Sequence, residues 1–222
     1  MSVENNMIKK GYTLCFCMLL SISLFGQSKK YTQIFHEYYD NKPVHFGFQF
    51  GFLSARYMVT EANSIGISSP GNFGFFVGGS VNYALNAHFE AKSGINVALY
   101  NRRFVDNNTA TPTPYYREST WLEMSLLMKF RAVRRKNHRA FLVAGTKVSW
   151  ESNRRASTNL LGQPYDLTIE YGFGLERFNK YFKFSPEIRF SNGLLNLYSN
   201  ANNLALEPNL KSNTITLILN FE

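Results

Sequence analysis

The sequence predicts an all-β fold, in which eight antiparallel strands close into a transmembrane outer-membrane β-barrel behind a cleaved N-terminal signal peptide. Three observations predict this fold. Eight segments alternate apolar with polar residues at a period of two, short and long connections alternate between them, and the polar faces carry many charges. Aromatic residues form 16% of the chain, which favours a membrane barrel because such barrels gather aromatic side chains at both interfaces.

The final fourteen residues, 209–222, show the alternation most clearly. From Thr214 onward one face is apolar and the other polar, and only Ile218 places an apolar side chain among the polar ones. Phe221 stands one residue from the end of the sequence, which fits the terminal strand of an outer-membrane barrel with its apolar face turned to lipid. This segment is therefore predicted to be the closing strand.

Seven upstream segments repeat the pattern. The first carries a stripe of phenylalanines on one face, Phe46, Phe48, Phe50 and Phe52. The next six cover about 74–85, 89–102, 120–131, 140–150, 167–176 and 182–191. Phe76 alone breaks the inner face of the second segment, and both faces of the fifth are fairly apolar. Because Pro186 has no N–H to donate, a bulge or bend is expected at that position.

The connections fall into two sets that alternate strictly along the chain. Short turns fall near 86–87, 132–138 and 177–180, and longer polar loops near 56–72, 103–119, 151–164 and 192–211. Outer-membrane barrels have short periplasmic turns and longer extracellular loops, which predicts that both ends of the mature chain lie in the periplasm. A soluble lipocalin-like barrel also has eight strands, but it requires apolar residues inside and polar residues outside.

The polar faces supply ionisable side chains for the barrel interior. If the other face meets lipid, five acids and seven bases point inward: Glu90, Lys92, Arg102, Glu123, Lys129, Arg131, Lys147, Glu170, Glu176, Lys183, Glu187 and Arg189. An eight-stranded barrel has room inside only for side chains, so these charges are tolerated only as paired, hydrogen-bonded networks. We expect a plug that holds the shape of the barrel, and a proton or solute path is the alternative. Strand glycines, among them Gly51 and Gly174, are expected to make room for the long side chains.

The N-terminal region has the form of a secretory signal. Two lysines precede an apolar run from Tyr12 to Phe25, which is too short for a transmembrane helix. We therefore divide the chain into a signal peptide at 1–27, a periplasmic lead-in at 28–42 and a barrel domain at 43–222.

Several classes of function are disfavoured. The formal net charge is +9, yet no nucleic-acid-binding motif accompanies the basic residues. Both cysteines, Cys15 and Cys17, lie in the signal, so the mature chain is predicted to have no disulfide and no cysteine metal site. No arrangement of serine, histidine and acid, no metal-spaced cluster and no phosphate-binding glycine loop is recognisable, so we predict no enzyme activity, no cofactor and no small-molecule substrate. The predicted partners are outer-membrane lipid and proteins that contact the lead-in, Tyr31 to Asn41, or the basic turn, Arg134 to Lys136.

Several segments resemble the PorT family: Lys42 to Phe48 entering the first strand, Glu123 to Phe130 in the fourth, Tyr181 to Glu187 in the seventh, and the closing Phe221-Glu222. The likeness runs over 42–222. That family contains small outer-membrane barrels linked to type IX protein secretion and, in gliding bacteria, to motility. The resemblance implies an integral outer-membrane component or assembly factor of that system, with other secretion components as partners, and it supplies no catalytic residues.

Two other classes of function remain open. A stand-alone small barrel with an adhesion or membrane-integrity role would work through its loops. A barrel lipid enzyme would lose its activity when His45 or His88 is changed.

Overall fold

The structure is a computed structural model, and it describes residues 33–35, 39–60, 67–68, 71–106, 114–152, 164–197 and 209–222. The predicted signal peptide lies outside these residues. In the described part of the chain a short 3-10 turn and nine strands occur in this order: Tyr39–Asn41, β1 Val44–Thr60, β2 Ile67–Ser68, β3 Asn72–Ala84, β4 Phe89–Asp106, β5 Pro114–Arg131, β6 His138–Glu151, β7 Tyr165–Phe178, β8 Lys183–Gly193 and β9 Asn209–Phe221. None of the helical segments described is long and apolar enough to cross a membrane.

Eight long antiparallel strands form a closed barrel, which confirms the predicted fold. Their order is β4, β3, β1, β9, β8, β7, β6 and β5, and the pairing of β4 with β5 closes the ring. The short β2 pairs only with the last residues of β4, where Ile67 lies opposite Asp106. Closure leaves none of the eight long strands with an unpaired edge, which a lipid environment requires because lipid cannot hydrogen-bond to an exposed backbone.

The strands are longer than the alternation predicted at the end of the barrel that carries the long connections. A loop was expected from residue 56, but β1 continues to pair with β9 as far as Thr60 opposite Asn209. Likewise β4 and β5 remain paired to Val105 opposite Pro114. Backbone pairing continues there after the side-chain pattern has faded, and a proline is tolerated as the first residue of a strand.

The opposite end, which we call the short-turn end, consists of the turns at 85–88, 132–137 and 179–182 with the start of β1 and the end of β9. Local side-chain chemistry stabilises these turns. The side-chain oxygen of Asn86 accepts hydrogen bonds from the N–H groups of His88 at 2.9 Å and Phe89 at 2.8 Å. Lys136 takes a left-handed conformation with φ 55° in the turn between β5 and β6.

The barrel is apolar outside and polar inside. Phe46 and Phe73 are 73% and 79% exposed, whereas the alternate positions of the same strands, such as Gln49 and Asn82, are fully buried. This distribution is the reverse of that of a soluble lipocalin-like barrel and matches a barrel whose outer surface faces lipid. Phe221 stacks on Phe48 outside the barrel, with ring centroids 5.1 Å apart.

Pro186 produces no bulge, which was one of the two features expected at this position. The register between β7 and β8 is the same on both sides of it, from Phe173 opposite Ile188 to Phe178 opposite Lys183, but pairing is interrupted between them. Lys183 exchanges hydrogen bonds with Glu222 across β8 and β9. By alternation, the nitrogen of Pro186 therefore faces β7. The missing donor is accommodated by a gap in the ladder and not by an inserted residue.

Candidate functional site

The interior of the barrel contains the residues for which sequence reasoning proposed a network. Eleven of the twelve are buried, with 0–6% of their surface exposed: Glu90, Lys92, Glu123, Lys129, Arg131, Lys147, Glu170, Glu176, Lys183, Glu187 and Arg189. Arg102 lies in β4, and its side chain is outside the described part of the structure. The described ion pairs among these residues form two networks.

The first network, which we call the mouth network, lies at the short-turn end. Its centre is a ring of six alternating charges, with nitrogen–oxygen distances between 2.5 and 3.5 Å. The ring runs in the order Asp40, Arg139, Glu176, Lys129, Glu90, Arg131 and back to Asp40. Because each member has an opposite charge on both sides, the ring offsets much of the cost of burying ions.

Glu176 is the most highly connected acid of this network. Its oxygens lie 2.5 Å from the Lys129 Nζ, 2.5 Å from the Arg139 Nε and 3.3 Å from the Lys183 Nζ. Lys183 is in turn 2.5 Å from the carboxylate of Glu222. The mouth network therefore joins four acids to four bases: Asp40, Glu90, Glu176 and Glu222 with Lys129, Arg131, Arg139 and Lys183.

The 3-10 turn at Tyr39–Asn41 covers the mouth network. The hydroxyl of Tyr39 donates a hydrogen bond to Glu222, and its ring stacks on His45 with centroids 3.9 Å apart. The Nζ of Lys183 lies 4.5 Å from the centre of the Tyr39 ring, a cation–π contact. Burial and the neighbouring Glu222 carboxylate raise the pKa of Tyr39 well above its usual value. Tyr39 and Asp40, which sequence reasoning placed in the lead-in, thus contact the barrel interior.

The second network, which we call the inner network, lies closer to the long-loop end. It connects three acids and three bases in the order Lys92, Glu187, Arg189, Glu170, Lys147 and Glu123. Neutral polar groups extend it. The Tyr100 hydroxyl donates to Glu123 at 2.5 Å, Ser191 donates to Glu170 at 2.7 Å, and the Lys92 Nζ donates to Asn220 at 2.9 Å.

Apolar side chains also point inward, and each of two inward aromatic rings packs against a strand glycine. Phe76, which broke the polar pattern of its strand, pairs with Gly51, and Phe141 pairs with Gly174. A Cβ atom at either glycine would overlap the facing ring. These two glycines make room for aromatic rings, so the expectation that they serve long charged side chains is wrong.

The interior contains little free volume where the inner network lies. A cavity lined by Glu123, Lys147 and Glu170 measures about 10 Å³, and a second beside Asp166 and Thr168 is also about 10 Å³. Each is no larger than the space that one water molecule needs. Among the described residues, these two cavities favour the expected plug over a solute path.

Three ionised residues of the mouth network were not identified from the sequence. Arg139 continues the inward phase of β6, one residue before the predicted segment begins at 140. Glu222 lies on the polar face of the predicted closing strand but was not counted among the inward charges. Asp40 precedes the first strand, in a stretch without periodicity, and nothing in the sequence pattern indicates its position.

The two histidines and the basic turn that the sequence analysis singled out lie near the short-turn end. His45 is buried under Tyr39, and the Nδ1 of His88 lies 3.2 Å from the backbone oxygen of Arg131. In the basic turn, Arg134 lies 3.7 Å from the centre of the Phe178 ring and donates to the backbone oxygen of Lys136. Within the described ranges, no group of three or more histidine, cysteine or acidic residues could hold a metal ion.

A closed barrel with an apolar outer belt and ion pairs inside defines an integral outer-membrane β-barrel protein. Residues 25–199 match the family model described as "Outer membrane protein beta-barrel domain", and the chain belongs to that family. The protein is therefore an integral protein of the outer membrane. No curated protein matches the chain.

Solved outer-membrane barrels are similar to this chain. OprG from Pseudomonas aeruginosa is 9% identical, over 79% of this chain and 93% of its own, with a TM-score of 0.48. Ail, the attachment invasion locus protein of Yersinia pestis, is 10% identical, over 81% of this chain and 99% of its own, with a TM-score of 0.40. The outer membrane enzyme PagL is 16% identical, over 77% of this chain and 97% of its own, with a TM-score of 0.41. Identities this low carry no information about function.

Proposed function

We propose that this protein is a stand-alone, sealed outer-membrane barrel that supports the integrity of the membrane or adhesion. The observation that carries the proposal is the filled interior, where seven acids and seven bases pair in two networks. A barrel filled in this way has no room for a solute, so its work is done by its lipid-facing belt and its two ends.

Deletion of the gene tests this role. We expect the deletion strain to admit a large hydrophobic antibiotic or dye more readily, or to adhere less to surfaces, while it secretes its proteins normally. Wild-type protein expressed from a plasmid restores the phenotype. Unchanged permeability and adhesion would contradict the proposal.

A second candidate is a component or assembly factor of the type IX secretion system, with a possible role in gliding motility. It is supported by the likeness to the PorT family at 42–48, 123–130 and 181–187. Retention of type IX cargo in the deletion strain, together with co-purification of secretion components with the tagged barrel from detergent-solubilised outer membrane, would favour this candidate. Normal cargo secretion would exclude it.

We further propose that the protein is not an enzyme and that the short-turn end faces the periplasm. If purified protein hydrolysed phospholipid or lipid A, and the variants His45→Ala and His88→Ala lost that activity, the first statement would be wrong. The second is tested by the single substitutions Lys136→Cys and Ser152→Cys, since Cys15 and Cys17 are expected to leave with the signal peptide. In intact cells, an impermeant maleimide should label the cysteine at 152 and spare the one at 136.

A further inference from the structure

A recess of about 550 Å³ opens beside the mouth network at the short-turn end of the barrel. The polar side chains that line it are Asp40, Asn41, Asn86, His88, Arg131, Arg134 and Arg139. The outer lip of the recess belongs to the turns at 85–88 and 132–137, so the recess is accessible from the aqueous side of that end.

Two buried guanidinium groups in this recess converge on one carboxylate oxygen. Arg131 and Arg139 are 2% and 4% exposed, and their Nη1 atoms lie 3.5 Å and 2.9 Å from the same Oδ1 of Asp40. The side chain of Asp40 is 40% exposed, unlike the other acids of the ring, which are fully buried. Asp40 lies in a short turn outside the barrel strands, so its side chain can rotate away without any change in strand pairing.

The same two arginines have further donors. Among the described residues, the Nε of Arg131 and the Nη2 of Arg139 have no hydrogen-bond partner. A guanidinium presents its N–H groups in a planar fork that matches two oxygens of a carboxylate or a phosphate. Glu90, Glu176 and the backbone oxygen of Asn86 engage other donors of the two forks, and the two donors named above remain unused.

The surroundings of the recess favour an anion. The exposed side chains of Lys42, Arg135, Lys136 and Lys180 all lie at the short-turn end. Clustered charges of one sign raise the local concentration of the opposite ion. An anion that approaches this end therefore meets a positive field before it reaches the recess.

We propose that this recess is an oxyanion site of the phosphate class, and that Asp40 serves as its internal ligand. A phosphate group displaces the carboxylate of Asp40, accepts the hydrogen bond that Arg139 donates to it, and pairs with the guanidinium of Arg131. The phosphate comes either from solution or from a lipid headgroup. This site is independent of the role in membrane integrity proposed above, since neither proposal requires the other.

The test compares three variants of the full mature barrel, purified in a non-ionic detergent. Inorganic phosphate is titrated in while binding heat or phosphorus NMR is recorded. The Asp40→Asn variant should bind phosphate about tenfold more tightly than wild type, because the competing carboxylate is gone. Arg139→Gln should lose binding, whereas Arg177→Gln, at an exposed base outside the recess, should bind like wild type.

Two further measurements keep the test decisive. Arg139→Lys keeps the charge but lacks the fork, so it should bind more weakly than wild type even though the barrel folds, as judged by its heat-modifiable migration in gels. Repeating the titration with phosphatidylglycerol in mixed micelles identifies the source: binding of the lipid alone assigns a headgroup, and binding of inorganic phosphate assigns a free ion. The proposal is overturned if Asp40→Asn binds neither ligand more tightly than wild type, or if Arg177→Gln loses binding as fully as Arg139→Gln.

Discussion

At the residue scale, a strand glycine in the barrel interior leaves the space into which an apolar layer of side chains packs. Gly51 lies between Phe76 on β3 and Ile218 on β9, and both apolar side chains interrupt the polar inner pattern of their strands. Both belong to one buried apolar cluster with Leu53 and Trp121. The two apparent exceptions in the sequence thus form a single packed layer, and Gly51 leaves the space that the layer needs.

Replacement of Gly51 by alanine tests this packing. A methyl group there would overlap the Phe76 ring, so we expect the free energy of unfolding to fall by about 1 to 3 kcal/mol. Gly79→Ala is the matched control, since the nearest atom to a Cβ at that position is the backbone oxygen of Gly47 at 3.8 Å. Urea unfolding in detergent micelles measures the free energy of unfolding of both variants and of wild type. Equal stability of the two variants would contradict the packing described here.

Glu176 provides a second test at this scale. Neutralisation by Glu176→Gln would leave Lys129, Arg139 and Lys183 without their shared acid, and we expect a loss of about 3 to 5 kcal/mol. Glu118→Gln, at an exposed position of β5, should change the unfolding free energy by less than about 0.5 kcal/mol. Urea titration measures the free energy of unfolding of Glu176→Gln, Glu118→Gln and wild type. A Glu176→Gln variant as stable as wild type would mean that the mouth network does not stabilise the barrel.

Part of this residue-level arrangement could be read from the sequence. Period-two alternation assigns an inward or outward direction to every strand residue, including Glu176 and Lys129. It cannot assign partners, because these depend on the register of strands that are distant in the chain. Lys92, for example, contacts Asn220, which lies 128 positions away.

At the scale of elements, the turn at Tyr39–Asn41 behaves as a cap on the short-turn end. Tyr39 contacts β1 through His45, the end of β9 through Glu222 and β8 through Lys183. The turn therefore joins the first and last strands of the barrel at the point where the sheet closes. The sequence did not predict this contact, since residues 28–42 have no periodicity and were expected to form a separate lead-in.

Removal of the Tyr39 hydroxyl tests the cap. Tyr39→Phe loses the hydrogen bond to Glu222, and we expect a cost of about 1 kcal/mol at neutral pH. The raised pKa of Tyr39 means that the folded state keeps the phenol protonated when the unfolded chain begins to ionise. The stability difference between wild type and Tyr39→Phe should therefore be constant up to about pH 10 and shrink above it. A difference that grew above that pH would contradict a hydroxyl that donates to a carboxylate.

The ends of the strands show the limit of pattern reading at this scale. The number of strands and the positions of the short turns follow from alternation, but the continuation of β1, β4 and β5 toward the long-loop end does not. Backbone hydrogen bonding sustains those extensions whatever the side chains are. Pro186 is similar, because the sequence indicates a missing donor but not whether a bulge or a gap in the ladder accommodates it.

At the scale of the whole molecule, the outer surface of the barrel is apolar because it faces lipid, and the charged side chains lie in the narrow lumen. Lipid accepts the aromatic and aliphatic belt, and the narrow lumen accepts charges only when they are paired. The two networks satisfy this condition with equal numbers of acidic and basic side chains, four of each in the mouth network and three of each in the inner network. This pairing supports the proposal that the barrel is sealed.

Electrical recording of the purified barrel in a planar lipid bilayer tests that conclusion most directly. Insertion is verified independently, by protection of the strands from protease in the same membranes. The filled lumen predicts that the inserted wild-type barrel produces no resolved conductance steps at any moderate voltage. Reproducible, ion-selective steps from the inserted wild-type protein would contradict the account, because they would require an aqueous path through the paired charges.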